Sequence, residues 1–201
     1  MHFDVPATLR PAAAALARAR RLYESAPAVT IAERLSSGPG NLVVTRAHER
    51  APDRIAYRII SSTAPGVAGT RAIVIGTRRW QRTGSTPWRL SRQAALHVPR
   101  AAWSGSARNA FFLPDGGLTF YDPDVRAWYR LRVDRSGRPT ELAMTGAAHF
   151  MHHVYGPFDA PIVLRPPTAA ASDFTSATSP SWCCSGSAAR ITERSRPAAA
   201  K

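Results

Sequence analysis

Three histidines lie close together in the segment 148–155. On a helix, His149, His152 and His153 would share one face at a spacing that suits a metal ion. On a strand, His149 and His153 point one way and His152 the other, and about 13 Å separates the first from the last. Because we interpret this segment as a strand, we expect aromatic and imidazole side chains on a sheet face. A copper-binding accessory domain that uses the three histidines stays open as the alternative, since Met151 adds a thioether.

Four tryptophans form the second constellation that could carry chemistry: Trp80, Trp88, Trp103 and Trp128. Trp80 and Trp88 flank a predicted hairpin, so an exposed pair could stack on a ligand or on a nucleic-acid base. Such side chains more often fill a core or form the wall of a cavity, and that is the role we expect.

Catalytic motifs are absent from the sequence. It contains no G-x-S-x-G elbow, no P-loop, no G-x-G-x-x-G after a strand and no H-E-x-x-H. Asp122 and Asp124 share a turn around Pro123, which is a loop feature, and nothing pairs a nucleophile with a base. We therefore predict a protein that is not an enzyme and uses no cofactor.

The chain is strongly basic. Its 201 residues include 27 Lys and Arg against 13 Asp and Glu, which gives a formal charge of +14. Lys201 is the only lysine, and no run of five or six basic residues marks a nucleic-acid arm. Because the charge is spread along the chain, a basic nucleic-acid-binding β-barrel is only a second alternative. Outward arginines would instead help to dock an anionic membrane surface.

The composition predicts one folded core flanked by two different ends. Hydrophobic residues make up 44% of the chain, too many for a wholly disordered protein, and no apolar stretch could span a bilayer as a helix. Residues 1–28 are interpreted as an amphipathic helical segment that packs on the domain. Residues 168–201 are rich in Ala, Ser, Thr and Pro, contain Cys183 and Cys184, and are expected to form a disordered tail. The apolar stripe of the first segment is Leu9, Ala13, Leu16, Ala19 and Tyr23.

Residues 29–167 are predicted to form an antiparallel sheet. Short alternating segments recur about every ten residues, with turn residues between them and no long helix. This spacing favours an up-and-down sheet or barrel over a βαβ fold. The predicted strands are Val29–Leu35, Asn41–Glu49, Arg54–Ser61, Arg71–Ile75, Arg78–Arg82, Trp88–Leu90, Ala110–Leu113, Leu118–Tyr121, Ala127–Val133, Thr140–Met144, Ala148–Tyr155 and Ile162–Leu164.

Several phrases between about residues 7 and 167 add a resemblance to a known family. They are Glu33–Gly40, Ala51–Tyr57, Val74–Gly76 followed by Arg79-Trp80, Pro87-Trp88, Met144–Met151 and Tyr155–Pro161. Together with the order of elements, they resemble the LolA-like fold of outer-membrane lipoprotein carriers. More narrowly, they resemble actinobacterial LolA/LppX-type domains, some of which are attached to copper-resistance D-type membrane proteins.

The resemblance implies a mainly β, α+β fold. Its sheet would be a strongly curved antiparallel half-barrel, with an N-terminal helix and short covering helices. It also implies a hydrophobic cavity that binds a lipid or the acyl chain of a protein, in a non-enzymatic, carrier-type role. Family members work outside the cytoplasm or at a membrane, whereas residues 1–28 lack the pattern of an export signal and leave a cytoplasmic location open.

The walls of such a cavity can be predicted from the alternation of the strands. A curved sheet with one apolar face and a small helical cover leaves a space that suits a lipid. An ordinary dry core is the other interpretation of the same residues. The predicted cavity residues are Ile31, Val43, Tyr57, Ile59, Ile73, Ile75, Trp80, Trp88, Trp128, Leu131, Met144, Phe150 and Tyr155.

Overall fold

A computed structural model describes residues 10–101, 103 and 105–168, and the backbone of residues 172 and 173. This part of the chain begins with a helix, α1 (Ala13–Glu24), which twelve strands follow. No helix in these residues has the length and apolar character needed to cross a membrane. The strands are β1 (Ala28–Ser36), β2 (Leu42–Arg50), β3 (Arg54–Ser62), β4 (Thr70–Ile75), β5 (Arg78–Thr83), β6 (Arg89–Arg92), β7 (Arg108–Phe112), β8 (Leu118–Asp122), β9 (Ala127–Val133), β10 (Pro139–Thr145), β11 (Phe150–Phe158) and β12 (Ser172–Asp173).

The strands form one open sheet, in the order β12-β6-β5-β4-β3-β2-β1-β11-β10-β9-β8-β7. Neighbouring strands are antiparallel except β12, which runs parallel to β6. Strands β7 and β12 are the two edges of this order, so the sheet does not close into a barrel. The predicted fold class, mainly β with a large antiparallel sheet and an N-terminal helix, is confirmed.

Helix α1 lies against the sheet through one side only. It is rich in Ala, Leu and Arg, which favour helix formation. Leu16, Ala19 and Tyr23, spaced by three and four residues, are buried in the core, as the predicted stripe required. The stripe begins differently, because Ala12 is buried and Ala13 is exposed, while Leu9 lies outside the described residues.

Strand pairing divides the side chains of the sheet between two faces. We call the face that contacts α1 the helix face and the opposite one the outer face. Ile31 lies on the helix face, and residues directly paired with it, Ala47 and Tyr155, lie there too. Tyr57 continues the same row from β2 to β3. Strand β9 shows the alternation clearly, because its buried and exposed residues alternate from Ala127 to Arg132.

The segment that follows β11 does not form a strand, so the predicted strand Ile162–Leu164 is wrong. It is held by side chains rather than by a strand ladder. Arg50 donates from Nη1 to the carbonyl of Ile162 at 2.7 Å, and Arg54 donates in the same way to Leu164 at 3.1 Å. Three apolar residues in a row were too short a signal to separate a strand from an extended segment.

The predicted disordered tail lies almost entirely outside the described residues, as do Cys183 and Cys184. One short piece of it is described: the backbone of Ser172 and Asp173 pairs with Arg89 and Leu90 of β6. The tail prediction did not include this β12 strand.

Candidate functional site

The helix face is much wider than the helix that lies on it. Twelve strands at a spacing of about 4.8 Å span roughly 50 Å, whereas α1, with its 12 residues, is about 18 Å long. Leu118, Phe120, Leu131 and Leu142 on this face are fully buried in one core cluster with Leu16, Ala19 and Tyr23 of α1. The helix leaves part of the same face open.

Four apolar side chains form a continuous row where the helix face is only half-buried. Val43 on β2 pairs with Leu35 on β1, Leu35 pairs with Met151 on β11, and Met151 pairs with Met144 on β10. All four side chains are partly exposed. We call these residues the apolar row. Because two of the four are methionines, which adapt to irregular shapes, the row suits a flexible apolar ligand.

A hydrogen-bonded pair of polar side chains, Glu33 and His153, lies beside the apolar row on the same face. Glu33 and His153 are directly paired across β1 and β11, and Oε2 of Glu33 lies 2.7 Å from Nε2 of His153. Nδ1 of His153 lies 3.2 Å from the hydroxyl of Tyr155. The side chains of His153 and Glu33 are only 16% and 25% exposed, so water screens the pair incompletely. The open part of the helix face thus combines an apolar row with a polar group.

A second carboxyl group, that of Glu49, lies deeper on the helix face. Glu49 is 6% exposed, and the hydroxyl of Tyr23 on α1 donates to its Oε2 at 3.0 Å. Burial raises the pKa of Glu49 to about 7, although the Tyr23 hydrogen bond and the charge of His153 oppose this change. Burial also raises the pKa of Tyr155. The contact between α1 and the sheet therefore includes a carboxyl group that titrates near neutral pH.

The strand register separates the predicted cavity residues into two sets. Whether the first set lines a cavity remains a prediction; for the second set, the prediction that the side chains point inward is wrong. Trp88 precedes β6 and lies in no strand. The first set, on the helix face, is Ile31, Val43, Tyr57, Ile59, Leu131, Met144 and Tyr155. The second set, on the outer face, is Ile73, Ile75, Trp80, Trp128 and Phe150.

The error at Ile73, Ile75 and Trp80 comes from the phase of β4 and β5. Tyr57 is in register with Ala72, which pairs with Gln81, so Ile73 and Trp80 must point to the other face. A shift of one residue moves every side chain of a strand to the opposite face. The loop between β3 and β4 interrupts the alternation along the chain. The large side chains of β4 and β5 were therefore assigned to the helix face, although the strand register places them on the outer face.

The four tryptophans have different surroundings. Trp103 is buried in the core, where its ring lies 6.3 Å from Tyr23 and 6.0 Å from Phe120, as measured between ring centroids. Trp80 is buried on the outer face, and Trp128 is 39% exposed there. The guanidinium carbon of Arg82 lies 4.7 Å from the ring centroid of Trp88. The tryptophans therefore do not form a common stacking platform.

The three histidines do not come together at a metal site. His149 precedes β11, His152 lies on the outer face 3.7 Å from a carboxylate oxygen of Glu141, and His153 lies on the helix face with Glu33. Among the residues that the structure describes, no three or more His, Cys, Asp or Glu side chains are placed to hold a metal ion. The alternative of a copper site at His149, His152 and His153 is therefore wrong.

A shallow groove between α1 and β7 is a weaker candidate for a binding site. Its volume is about 220 Å³, and small residues such as Ala17 and Ala110 contribute to its lining. Typical small-molecule pockets occupy about 300–1,000 Å³. The groove is therefore too small to receive a long acyl chain.

Sequence reasoning missed several residues of the helix face, above all Leu35, Met151, Glu33 and Glu49. A signal for the first strand was present, because Glu33 and Leu35 continue the alternation that Val29 and Ile31 begin. A carboxylate at a predicted inward position needs a partner, and that requirement could have led to His153. The partner itself follows only from the pairing of β1 with β11, which sequence spacing does not reveal.

The chain is similar in fold to several solved structures. LprF from Mycobacterium bovis has a TM-score of 0.50 and 11% identity, over 79% of this chain and 97% of that one. The lipoprotein LppX from Mycobacterium tuberculosis has a TM-score of 0.50 and 13% identity, over 76% and 97%. A LolA superfamily protein from Nitrosomonas europaea has a TM-score of 0.44 and 13% identity, over 77% and 95%. The sequence matches no family model and no curated protein.

The chain shares the fold of LprF and LppX. At 11% and 13% identity, the likeness to LprF and LppX concerns the fold alone, and it confirms that part of the predicted resemblance. Because 97% of each of these two chains is covered, nearly all of each has a counterpart in this chain.

Proposed function

We propose that the protein binds a hydrophobic ligand, a lipid or the acyl chain of an acylated protein, on the open part of its helix face. The observation that carries this proposal is the apolar row Val43–Leu35–Met151–Met144, which remains partly exposed beside a fully buried core. A ligand that covered the row would remove this apolar surface from water. Each buried methylene of an acyl chain would contribute about 0.8 kcal/mol.

The polar groups beside the row define the kind of ligand. A purely apolar molecule would lie next to the Glu33–His153 pair without using it. An amphiphile could place its chain along the row and its polar head within reach of Glu33 and His153, which are 2.7 Å apart and partly exposed. We therefore propose an amphiphilic lipid or acyl group rather than a hydrocarbon.

The role that we propose is that of a non-enzymatic carrier at or near a membrane surface. The fold that the chain shares with LprF and LppX supports this role, and LppX is named a lipoprotein. A carrier of this kind would work outside the cytoplasm or in association with a membrane. The predicted actinobacterial type, and the attachment of such domains to copper-resistance D-type membrane proteins, belong to the same proposal.

The test is a titration of delipidated protein with a fluorescent fatty acid. The wild type should bind the probe saturably. Replacing Leu35 and Met151 together with Ser should weaken binding by about 10-fold or more, because each side chain offers apolar surface worth about 1 kcal/mol. The matched control is Val154→Ser, since Val154 neighbours the row on β11 but lies on the outer face and is 43% exposed.

The control variant should bind the probe as the wild type does. The proposal would be wrong if the delipidated wild type took up no probe. Equal weakening in the row variant and the Val154 variant would also contradict it, because binding would then not depend on the helix face.

A further inference from the structure

The outer face of strands β1 to β6 carries one sign of charge. Both acidic residues within these six strands, Glu33 and Glu49, lie on the helix face, and Asp53 lies in the turn between β2 and β3. The outer face of these strands therefore contains arginines and no carboxylate. The arginines are Arg34, Arg46, Arg50, Arg54, Arg58, Arg71, Arg78, Arg82 and Arg92.

Four of these arginines lie directly opposite one another on consecutive strands. Arg46 on β2 pairs with Arg58 on β3, Arg58 pairs with Arg71 on β4, and Arg71 pairs with Arg82 on β5. We call Arg46, Arg58, Arg71 and Arg82 the arginine ladder. Neighbouring strands are about 4.8 Å apart, well within the Debye length of about 8 Å at physiological salt.

The ladder is unfavourable for the isolated protein. Like charges directly opposite each other destabilise a sheet. Arg46, Arg58 and Arg71 are exposed and, within the described part of the chain, form no hydrogen bond or ion pair that would offset the repulsion. An anionic partner would offset it, which is a physical reason for such a row to bind anions.

Two arginines on the outer face of β9, Arg130 and Arg132, are in contrast compensated within the protein. Arg130 forms an ion pair with Asp115. Nη2 of Arg132 lies 3.4 Å from Oδ2 of Asp115, and its Nη1 lies 3.6 Å from Oε2 of Glu141. The arginine ladder has no such acidic neighbours, because no carboxylate lies on the outer face of β2 to β5. The arginines that lie directly opposite one another without an ion pair or hydrogen bond, Arg46, Arg58 and Arg71, are on β2, β3 and β4.

Apolar side chains on the outer face extend the basic surface. Val154 on β11 pairs with Ala32, which pairs with Arg46, so the ladder continues into Val154, which is 43% exposed. Phe150, on the same face of β11, is 53% exposed. A bilayer surface accepts both kinds of group, because arginines pair with lipid phosphates while apolar side chains enter the interface. A nucleic acid would use the charge but not an exposed valine.

We infer that the arginine ladder is a docking surface for the anionic lipid headgroups of a bilayer. The inference rests on the membrane location in the proposed function, but it assigns that contact to the face opposite the ligand-binding one. The ligand site would thus stay open while the outer face lies on the membrane.

The test is partition of the purified protein onto vesicles of phosphatidylcholine, with and without phosphatidylglycerol. Binding should require the anionic lipid and should fall as salt is added. The double variant Arg58→Gln/Arg71→Gln should partition about 25-fold more weakly, because each arginine near an anionic surface contributes roughly five-fold. The control Arg130→Gln/Arg132→Gln removes the same charge from the compensated region and should change partition by no more than about two-fold.

Equal losses in the two double variants would overturn the inference, because binding would then follow net charge alone. Strong binding to vesicles of phosphatidylcholine alone would overturn it as well. If the ladder variant lost affinity for double-stranded DNA while its vesicle binding was unchanged, the partner would be a nucleic acid and not a membrane. A melting curve for each variant verifies that it is folded.

Uptake of the fluorescent fatty acid, measured on the same variants, separates the two proposals. The ladder variant should bind the probe as the wild type does, because its substitutions lie on the other face. Vesicle binding by a wild type that took up no probe would support the docking surface and overturn the ligand site.

Discussion

Leucine serves two different purposes at the two parts of the helix face. Leu131 on β9 has no exposed surface and lies in the core with Leu118 and Leu142, in the part that α1 covers. Leu35 on β1 belongs to the apolar row and remains partly exposed. The two residues share a type and a face but differ in what covers them. The sheet thus uses one part of its apolar face for stability and leaves another part available.

The largest effect on stability is expected from Leu131→Ala. Removing a fully buried leucine side chain should lower the free energy of unfolding by about 3 kcal/mol, since the neighbours only partly close the cavity. Chemical denaturation measures this change. A loss below about 1 kcal/mol would mean that the covered part of the face is not a tightly packed core.

The pH dependence of stability gives the second largest effect. The folded-state pKa of Glu49, about 7, is above its ordinary value of 4.5, so the folded protein binds this proton more tightly than the unfolded chain. The free energy of unfolding of the protein should therefore fall as the pH rises from about 4.5 through 7. Glu49→Gln keeps an acceptor for Tyr23 but removes the titration.

The Glu49→Gln variant should be more stable than the wild type by about 2–3 kcal/mol at pH 8 and nearly equal to it at pH 4.5. Denaturation of both proteins at the two pH values measures the difference. A constant difference between them would show that Glu49 does not titrate with folding.

Leu35→Ala should lower stability less than Leu131→Ala does, but it should weaken ligand binding more. Because Leu35 is only partly buried, we expect a stability loss of about 1 kcal/mol. Its effect on binding of the fluorescent fatty acid should be larger than that of Leu131→Ala. If Leu131→Ala weakened the binding more while the protein stayed folded, the ligand would lie under α1 and not along the row.

The smallest expected effect concerns the arginine ladder and has an unusual sign. Arg58→Thr removes a charge that lies between Arg46 and Arg71, so it should stabilise the protein by about 0.5 kcal/mol. Arg130→Thr, in contrast, removes a partner of Asp115 and should give no gain. Thermal denaturation at low salt compares the two variants. A gain in both, or in neither, would remove the distinction between the two parts of the outer face.

The sequence predicted the sheet well where alternation was uninterrupted. The bounds of β9, Ala127–Val133, agree with the prediction, because exposed arginines alternate there with buried residues. The phase of β4 and β5 was not predictable, because a loop separates them from β3 and nothing local fixes which face Ile73 and Trp80 take. Failure at Ile162–Leu164 has another cause, since side chains from distant Arg50 and Arg54 hold that segment.

The candidate site was less predictable than the fold because it is made by long-range pairing. The apolar row requires β1 to lie between β2 and β11, so Leu35 meets Met151, a residue far from it in sequence. The arginine ladder likewise depends on the register of four strands. Charge that is spread evenly along the sequence becomes concentrated on one face only when the strands pair.

The proposed function requires that the open part of the helix face binds a lipid. Native mass spectrometry of the purified protein tests this most directly. We expect a co-purified species of lipid mass that is lost on delipidation, returns when fatty acid is added, and binds less to the variant with Leu35 and Met151 replaced by Ser. A protein that shows only its own mass, both as purified and after fatty acid is added, would contradict the account.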